Sequence, residues 1–306
     1  MALKNGKDFL SIEQHTTEDL RRILDLAKAQ KPLARAHKLP PSHPGRVLAC
    51  VFAKPSLRTR VSFEVAIRQL GGTSLYITDQ EIGLGKRESV HDVAKVLSRF
   101  VDGIMIRTFK QADVDGLARH ATVPVVNGLT DLLHPCQVMG DILTIEEHLG
   151  SVENKTVVMV GDGNNLANSW LTAAMRFPFT FVLACPRGYE PDERILQEAD
   201  RAGASYVITN DPREAMQGAH VIYGDVWTSM GQEAEGQKRL RDFTGFQIND
   251  DLLADVDPSC IVLHCLPAHR GEEITDAVMD GPRSAVFDQA ENRLHAQRAI
   301  LALLMA

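Results

Sequence analysis

The chain has 306 residues, with 33 Lys and Arg against 40 Asp and Glu, a formal net charge of −7, and 44% hydrophobic and 24% charged residues. That length suits two domains, each able to bury its own core. The acidic balance argues against a nucleic-acid protein, whose first need is a cationic surface, and the longest apolar run, residues 299–306, falls far short of the ~20 residues that span a bilayer.

The opening residues 1–8 hold an early acid and no apolar stretch, so they are expected to be neither a signal nor a transit peptide. Cys50, Cys136, Cys185, Cys260 and Cys265 are odd in number and lack CxxC spacing. That usage suits a reducing cytoplasm without a disulfide frame or a zinc knuckle.

In chain order, short β-branched apolar runs at 47–51, 74–77, 103–106, 124–126, 156–160, 180–184, 206–209, 220–223 and 261–263 predict strands. Amphipathic stretches lie between most of them, such as Phe63, Ile67 and Leu70, or Val93, Val96, Leu97 and Phe100. Near-continuous apolar strands joined by helical crossovers indicate parallel sheets covered on both faces. The expected fold class is therefore α/β, with two doubly wound parallel-sheet domains. A helix after His134-Pro135, ending near Gly150, marks the boundary, because a fresh strand follows at 156. The expected domains are 1–140 and 150–288, with a last helix over 289–306 folding back on the first.

Lys54-Pro55-Ser56-Leu57-Arg58-Thr59-Arg60 follows the first strand. Hydroxyls, guanidinium groups and free N–H groups meet there at a helix N-terminus, a ready anion site; the bland alternative is a Ser cap with two solvated arginines. Gly161-Asp162-Gly163-Asn164-Asn165 invites a dinucleotide reading. However, Leu166 stands where the third glycine belongs, and the next strand ends in Cys185-Pro186 without a ribose-binding acid. Asn164 and Asn165 instead offer amide donors for a carboxylate, or an Asx turn capping a helix that begins near Ala167.

His264-Cys265-Leu266-Pro267-Ala268-His269 follows the last strand. The two histidines, five apart across a proline, do not share a helix face, so no metal is expected. A buried Cys is usually a small hydrophobe, but a strand-end position in an α/β sheet is where ligands bind. His134-Pro135-Cys136-Gln137 and Asp225-Val226-Trp227-Thr228-Ser229-Met230-Gly231 complete the set, each readable alone as a capped loop. Walker A, HExxH and GxSxG sequences are all missing.

Together these segments resemble the aspartate/ornithine carbamoyltransferase family on its ornithine branch, across essentially the whole chain and in the family's order. Ser56 to Arg60 is similar to the carbamoyl-phosphate loop Ser-Thr-Arg-Thr-Arg. His134 to Gln137 is similar to His-Pro-x-Gln, and Asp225 to Gly231 to Asp-x-Trp-x-Ser-Met-Gly. His264 to Ala268 matches His-Cys-Leu-Pro-Ala, and Phe287-Asp288-Gln289-Ala290-Glu291-Asn292-Arg293 resembles the start of the family's last helix. The resemblance implies transfer of the carbamoyl group of carbamoyl phosphate to the δ-amine of L-ornithine, giving L-citrulline and phosphate, a step of arginine biosynthesis, with no cofactor.

Position by position, it implies that Ser56, Leu57, Arg58, Thr59 and Arg107 hold the phosphate. Thr59, Arg107 and His134 would polarise the carbonyl, and Gln137, Leu266 and Arg293 would orient the carbamoyl group. Asn165, Asp225, Ser229 and Met230 would hold the amino-acid end of ornithine, and Cys265 would receive its δ-amine. The expected catalytic residues are Arg58, Arg107, His134 and Cys265. A homotrimer, or a multiple of trimers, and an active site in the cleft between the two domains are further implications.

Two departures stand out. Leu57 replaces the usual threonine, and Gly83 stands where relatives often carry Gln or His reaching into a neighbouring subunit; either the backbone suffices there, or Gln80, Lys86 or Arg87 substitutes. The rival readings are a carbamoyltransferase for putrescine or an acylated ornithine, a nicotinamide-dependent oxidoreductase, and a binding-only paralogue crippled by the two departures.

Overall fold

A computed structural model describes residues 3–4, 6–85 and 87–306. The chain divides into two compact units: the first runs to Leu143 and includes Asn292–Ala306, and the second is Thr144–Glu291. Two helices, Pro135–Leu149 and Val286–Leu304, give residues to both units. Among the described residues no helix is long and apolar enough to cross a membrane.

The first unit is built on strands β1 (Val47–Phe52), β2 (Thr73–Thr78), β3 (Gly103–Arg107) and β4 (Val125–Leu129), all parallel, in the order β2-β1-β3-β4. Successive side chains point to opposite faces. Ala49, Val51, Ile104, Ile106 and Val125 therefore share one face, packed with Val93 and Ala94 of the helix Val90–Leu97 and Val114, Leu117 and Ala118 of the helix Gln111–His120. Leu48, Cys50 and Met105, which alternate with them, are equally buried. Such double coverage is why these strands read as continuous apolar runs.

β4 continues through Asn127 and Gly128, beyond the apolar run 124–126 that predicts it. The N-terminal segment supplies the extra pairing: Asn127 N–H donates to the Phe9 carbonyl at 2.8 Å, and its side-chain amide to the Leu10 carbonyl at 2.9 Å.

The second unit carries β5 (Thr156–Val160), β6 (Thr180–Ala184), β7 (Tyr206–Thr209), β8 (Val221–Gly224) and β9 (Ile261–His264), parallel in the order β7-β6-β5-β8-β9. Trp170 fills its core, with ring centroids 5.6 Å from Phe179 and 5.8 Å from Tyr223, both edge-on. In each sheet the chain crosses to the opposite side of its first strand, β1 or β5, so the order reverses there. Crevices at the carboxyl ends of strands at such switch points are where open α/β sheets bind ligands. In this chain they fall between β1 and β3, and between β5 and β8.

Candidate active site

At the first switch point the Ala53 N–H donates to the Arg107 carbonyl at 2.9 Å, joining the exits of β1 and β3. Ser56 is the N-cap of the helix Leu57–Gln69: its hydroxyl accepts from the Thr59 N–H at 3.3 Å and donates to Thr59 Oγ1 at 3.1 Å. No acidic residue occupies that first turn, so the positive end of the helix is left to an external anion. Leu57 is 76% exposed, and its contribution at the cap is its backbone N–H. Arg60 turns away: its guanidinium donates to Glu64 at 3.0 Å and lies 3.9 Å from the Tyr76 ring centre. Of the two arginines in the loop, Arg60 is thus engaged by Glu64 and Tyr76, and Arg58 is one of the charges that bear on His134.

Thr59 is fully buried, and its hydroxyl accepts from Arg293 Nη2 at 2.9 Å. Arg293 reaches it because Gly140, on the helix Pro135–Leu149, lets the chains approach closely; a Cβ there would stand 3.2 Å from Arg293 backbone atoms. Arg107 ends β3 at a break in register with β4, and it too is buried. His134 lies just before Pro135, which opens the helix at a position where a missing N–H costs nothing. Burial, and then the positive charges of Arg293, Arg107 and Arg58, hold the His134 pKa well below the usual histidine range. The ring is therefore neutral at physiological pH and can donate an N–H to an oxygen. Gln137, one turn on, donates its amide to Asp141 at 2.8 Å, while its buried Oε1 has no hydrogen-bond partner among the described residues.

Lys54 supports the same loop from beneath. It is buried, ion-paired with Asp131 and 4.4 Å from the Phe109 ring centre. The departure at Gly83 has a backbone cause. Gly83 caps the short helix Asp79–Ile82 at φ 55°, and a Cβ there would meet Arg87 Cβ at 2.7 Å. A longer side chain would be strained at that point. Arg87 donates to the Glu81 carbonyl, Gln80 is exposed, and Lys86 lies outside the described residues.

In the second unit, the Gly-x-Gly after β5 serves the protein's own chain. A Cβ on Gly163 would sit 2.4 Å from Glu190 and Pro191 backbone atoms, and its N–H donates to the Tyr189 carbonyl at 2.8 Å. That close approach, which a dinucleotide fold reserves for pyrophosphate, is taken by a neighbouring loop. Asn164 caps the helix Asn165–Ala174, two residues earlier than the sequence suggests; its Oδ1 accepts from Leu166 N–H at 2.9 Å and Ala167 N–H at 3.4 Å. The same side chain donates to Asp225 Oδ2 at 2.8 Å, bridging the switch point. Asn165 sits half-buried in the first turn, its carbonyl taken by Ser169 Oγ at 2.7 Å.

Asp225, itself buried, accepts at Oδ1 from Val226 N–H at 2.8 Å and from the Cys265 thiol at 2.9 Å. Ser229 N–H donates to Gln232 Oε1 at 3.1 Å, and Met230 is 48% exposed at the tip of that loop. Cys265 is the cysteine with partial exposure; burial pushes the thiols of Cys50, Cys136, Cys185 and Cys260 up to about 12. Leu266 is held at φ 56° before a cis bond to Pro267. Its N–H donates to His264 Nδ1 at 3.0 Å, which leaves Nε2 as the protonated nitrogen, 3.2 Å from Glu273 Oε1. That carboxylate oxygen also accepts from the His269 N–H at 2.6 Å.

The first unit thus gathers Arg58, Arg107 and Arg293 about a neutral His134, and the second joins Asn164, Asp225 and Cys265. Arg239 and Glu273 have no motif of their own in the sequence, and Asp162 entered only as the middle residue of the Gly-x-Gly. Arginines and a neutral imidazole suit a phosphorylated donor whose carbonyl must be polarised; a carboxylate with amide and thiol donors suits an amine-bearing acceptor. The class these features define is a group-transfer enzyme.

Residues 7–147 match the model of the aspartate/ornithine carbamoyltransferase carbamoyl-P binding domain, and residues 153–304 that of the Asp/Orn binding domain. The chain is 53% identical to an ornithine carbamoyltransferase of Pelobacter propionicus, over 98% of this chain and 99% of the relative. It is 49% identical to an anabolic ornithine carbamoyltransferase of Pyrococcus furiosus, over 98% and 96%. The solved ornithine carbamoyltransferase of Pyrococcus furiosus superposes with a TM-score of 0.95 at 48% identity, covering 100% of this chain and 99% of that one. The Thermus thermophilus structure gives 0.88 at 47%, covering 98% and 99%. The chain belongs to the aspartate/ornithine carbamoyltransferase family.

Proposed function

We infer that the chain transfers the carbamoyl group of carbamoyl phosphate to the δ-amine of L-ornithine, giving L-citrulline and phosphate. The observation that carries this reading is the set of Arg58, Arg107 and Arg293 about the neutral His134, in a chain about half identical over its length to ornithine carbamoyltransferases. Residues 1–140 are assigned to carbamoyl phosphate, together with the helix residues from 289 on, and residues 150–288 to ornithine.

The chemistry needs no covalent intermediate, because carbamoyl phosphate is already activated. Catalysis consists of aligning two substrates and stabilising charge on the carbonyl oxygen and the leaving phosphate. Arg58 and Arg107, with Ser56, Thr59 and the Leu57 N–H, hold the phosphate; guanidinium forks suit it because they donate in pairs and stay charged. Thr59, Arg107 and the neutral His134 polarise the carbonyl oxygen. The free Gln137 Oε1 accepts from the carbamoyl amide, with the Leu266 carbonyl and Arg293 completing its orientation. Asn165, Asp225, Ser229 and Met230 hold the amino-acid end of ornithine, and Cys265 positions its δ-amine. That amine is Lys-like, with a solution pKa near ~10.4, so at pH 7.4 roughly one molecule in a thousand is neutral and able to attack.

A homotrimer, or a multiple of trimers, is part of the same proposal. Leu57 and Val61, four apart on the helix Leu57–Gln69, and Leu75 on the edge strand β2 are 76%, 48% and 50% exposed, apolar side chains suited to contact between copies. The five cysteines, none of them in a disulfide, suit a cytoplasmic setting.

An acceptor panel tests the substrate. With carbamoyl phosphate present, phosphate release is expected with L-ornithine and at background levels with putrescine, N-acetylornithine or aspartate. Release with one of the others instead would keep the chemistry and move the acceptor.

A further inference from the structure

Arg239 belongs to none of the motifs above, yet it is the most deeply held cation of the second unit's loops. It lies on the short helix Gly236–Asp242 and is 6% exposed. Its Nη1 donates to Asp162 Oδ2 at 2.7 Å and to the Trp227 carbonyl at 2.8 Å, and its Nε to Glu235 at 3.1 Å. The guanidinium carbon stands 4.9 Å from the Tyr189 ring centre. Asp162 follows β5 two residues before Asn164, and Trp227 follows β8 two residues after Asp225. One side chain therefore ties together the two loops that flank the second switch point.

At its start Asp225 is also held from outside the loop, by Asn164 and Cys265, while the stretch beyond Trp227 is held by short-range bonds. Ser229 and Gly231 N–H groups donate to Gln232 and Glu233, within three residues, and Met230 is half-exposed. Trp227 stacks on Phe243 at 5.5 Å, and Phe243 in turn meets Tyr189 edge-on at 4.7 Å. The loop thus has a deep anchor at Trp227 and a loose tip at Met230. Removing one partner of a buried ion pair strands the other charge, which is costly, and a loop freed at its anchor must be ordered again by its ligand.

We propose that the Asp162–Arg239 pair positions the loop bearing Asp225, Ser229 and Met230, and thereby sets the affinity for ornithine without touching it. This rests on the assignment of ornithine to those residues. Arg239 acts here as a positioning residue: it holds the Trp227 carbonyl, and Asp162 holds Arg239.

The test is steady-state kinetics of the full-length enzyme, varying ornithine at saturating carbamoyl phosphate and the reverse. Asp162→Asn and Arg239→Met are expected to raise the KM for ornithine about tenfold or more. The KM for carbamoyl phosphate and kcat should stay within about threefold. Arg239→Lys, which keeps the charge but not the fork, should fall between wild type and Arg239→Met and stands in should the methionine variant fail to fold. The double variant should lose little more than Arg239→Met alone, since both changes break one contact. An unchanged ornithine KM in folded Asp162→Asn and Arg239→Lys, or an equal rise in both KM values, would overturn the proposal. Asp225→Asn run alongside separates the two levels. If its ornithine KM is also unchanged, the ornithine assignment itself fails and takes the proposal with it; if it rises while the pair variants stay normal, only the pair's role is lost.

Discussion

The Cys265 thiol donates a hydrogen bond to Asp225 Oδ1 at 2.9 Å, linking the exits of the neighbouring strands β9 and β8. With Val226 N–H on the same oxygen and Asn164 on the other, Asp225 is surrounded by donors, and the thiol proton is committed to it. A nucleophilic cysteine needs the opposite surroundings, a base or a positive charge that draws the proton away. These surroundings support the proposal that Cys265 positions the δ-amine rather than attacking the carbamoyl carbon. Cys265→Ala should retain measurable turnover with a raised KM for ornithine, and the wild type should release no burst of phosphate from carbamoyl phosphate alone. A stoichiometric burst without ornithine would point to a carbamoyl-thioester.

The phosphate role proposed for Arg58 is supported by its place among the charges about His134, while Arg60 pairs with Glu64 and Tyr76. Arg58→Ala should lower kcat about a hundred- to a thousandfold, the scale seen when one transition-state donor is lost, with little change in thermal unfolding. Near-normal turnover would remove this loop from the mechanism.

The pH dependence should be set by the substrate amine. Because burial and three arginines depress the His134 pKa, the imidazole stays neutral from pH 6.5 to 8.5 and adds no acid limb there. The rate at subsaturating ornithine should rise about tenfold per pH unit across that range, which initial rates in constant-ionic-strength buffers will show; a flat profile with chemistry limiting would contradict attack by the neutral amine. The same depressed pKa has a stability consequence. Below about pH 6.5 the unfolded chain takes up a proton at His134 that the folded chain refuses, so this residue's contribution is lost as the pH falls.

Gly163 tests the reading of the Gly-x-Gly. A methyl group at that position would collide with backbone rather than with a movable side chain. Gly163→Ala should therefore destabilise the protein by about 1–3 kcal/mol, the usual cost of overpacking, seen as a lowered Tm. Titration of the wild type with NAD should give no binding signal.

The strands were legible because a sheet covered on both faces leaves continuous apolar runs such as Val47 to Phe52 and Thr156 to Val160. Where the sequence misled, a distant contact had the deciding voice. β4 extends through Asn127 and Gly128 because Phe9 and Leu10 supply partners from over a hundred residues away. The helix after β5 starts at Asn165 because Asn164 serves as cap and Asp225 ligand at once. Arg58, His134, Asp225 and Cys265 lay in motifs with readable chemistry. Arg239 sits on a seven-residue helix too short to show periodicity, and its role comes from Asp162, 77 positions earlier. The glycine at 83 read as a departure that the backbone or a neighbouring side chain would make good; its φ of 55° makes it a backbone requirement.

Carbamoyl transfer to ornithine is tested by following both products of one reaction mixture: citrulline formed and phosphate released when the purified protein meets carbamoyl phosphate and L-ornithine. One citrulline is expected for each phosphate, and none of either above background when ornithine is left out. Phosphate without citrulline, or binding of both substrates without turnover, would contradict that transfer.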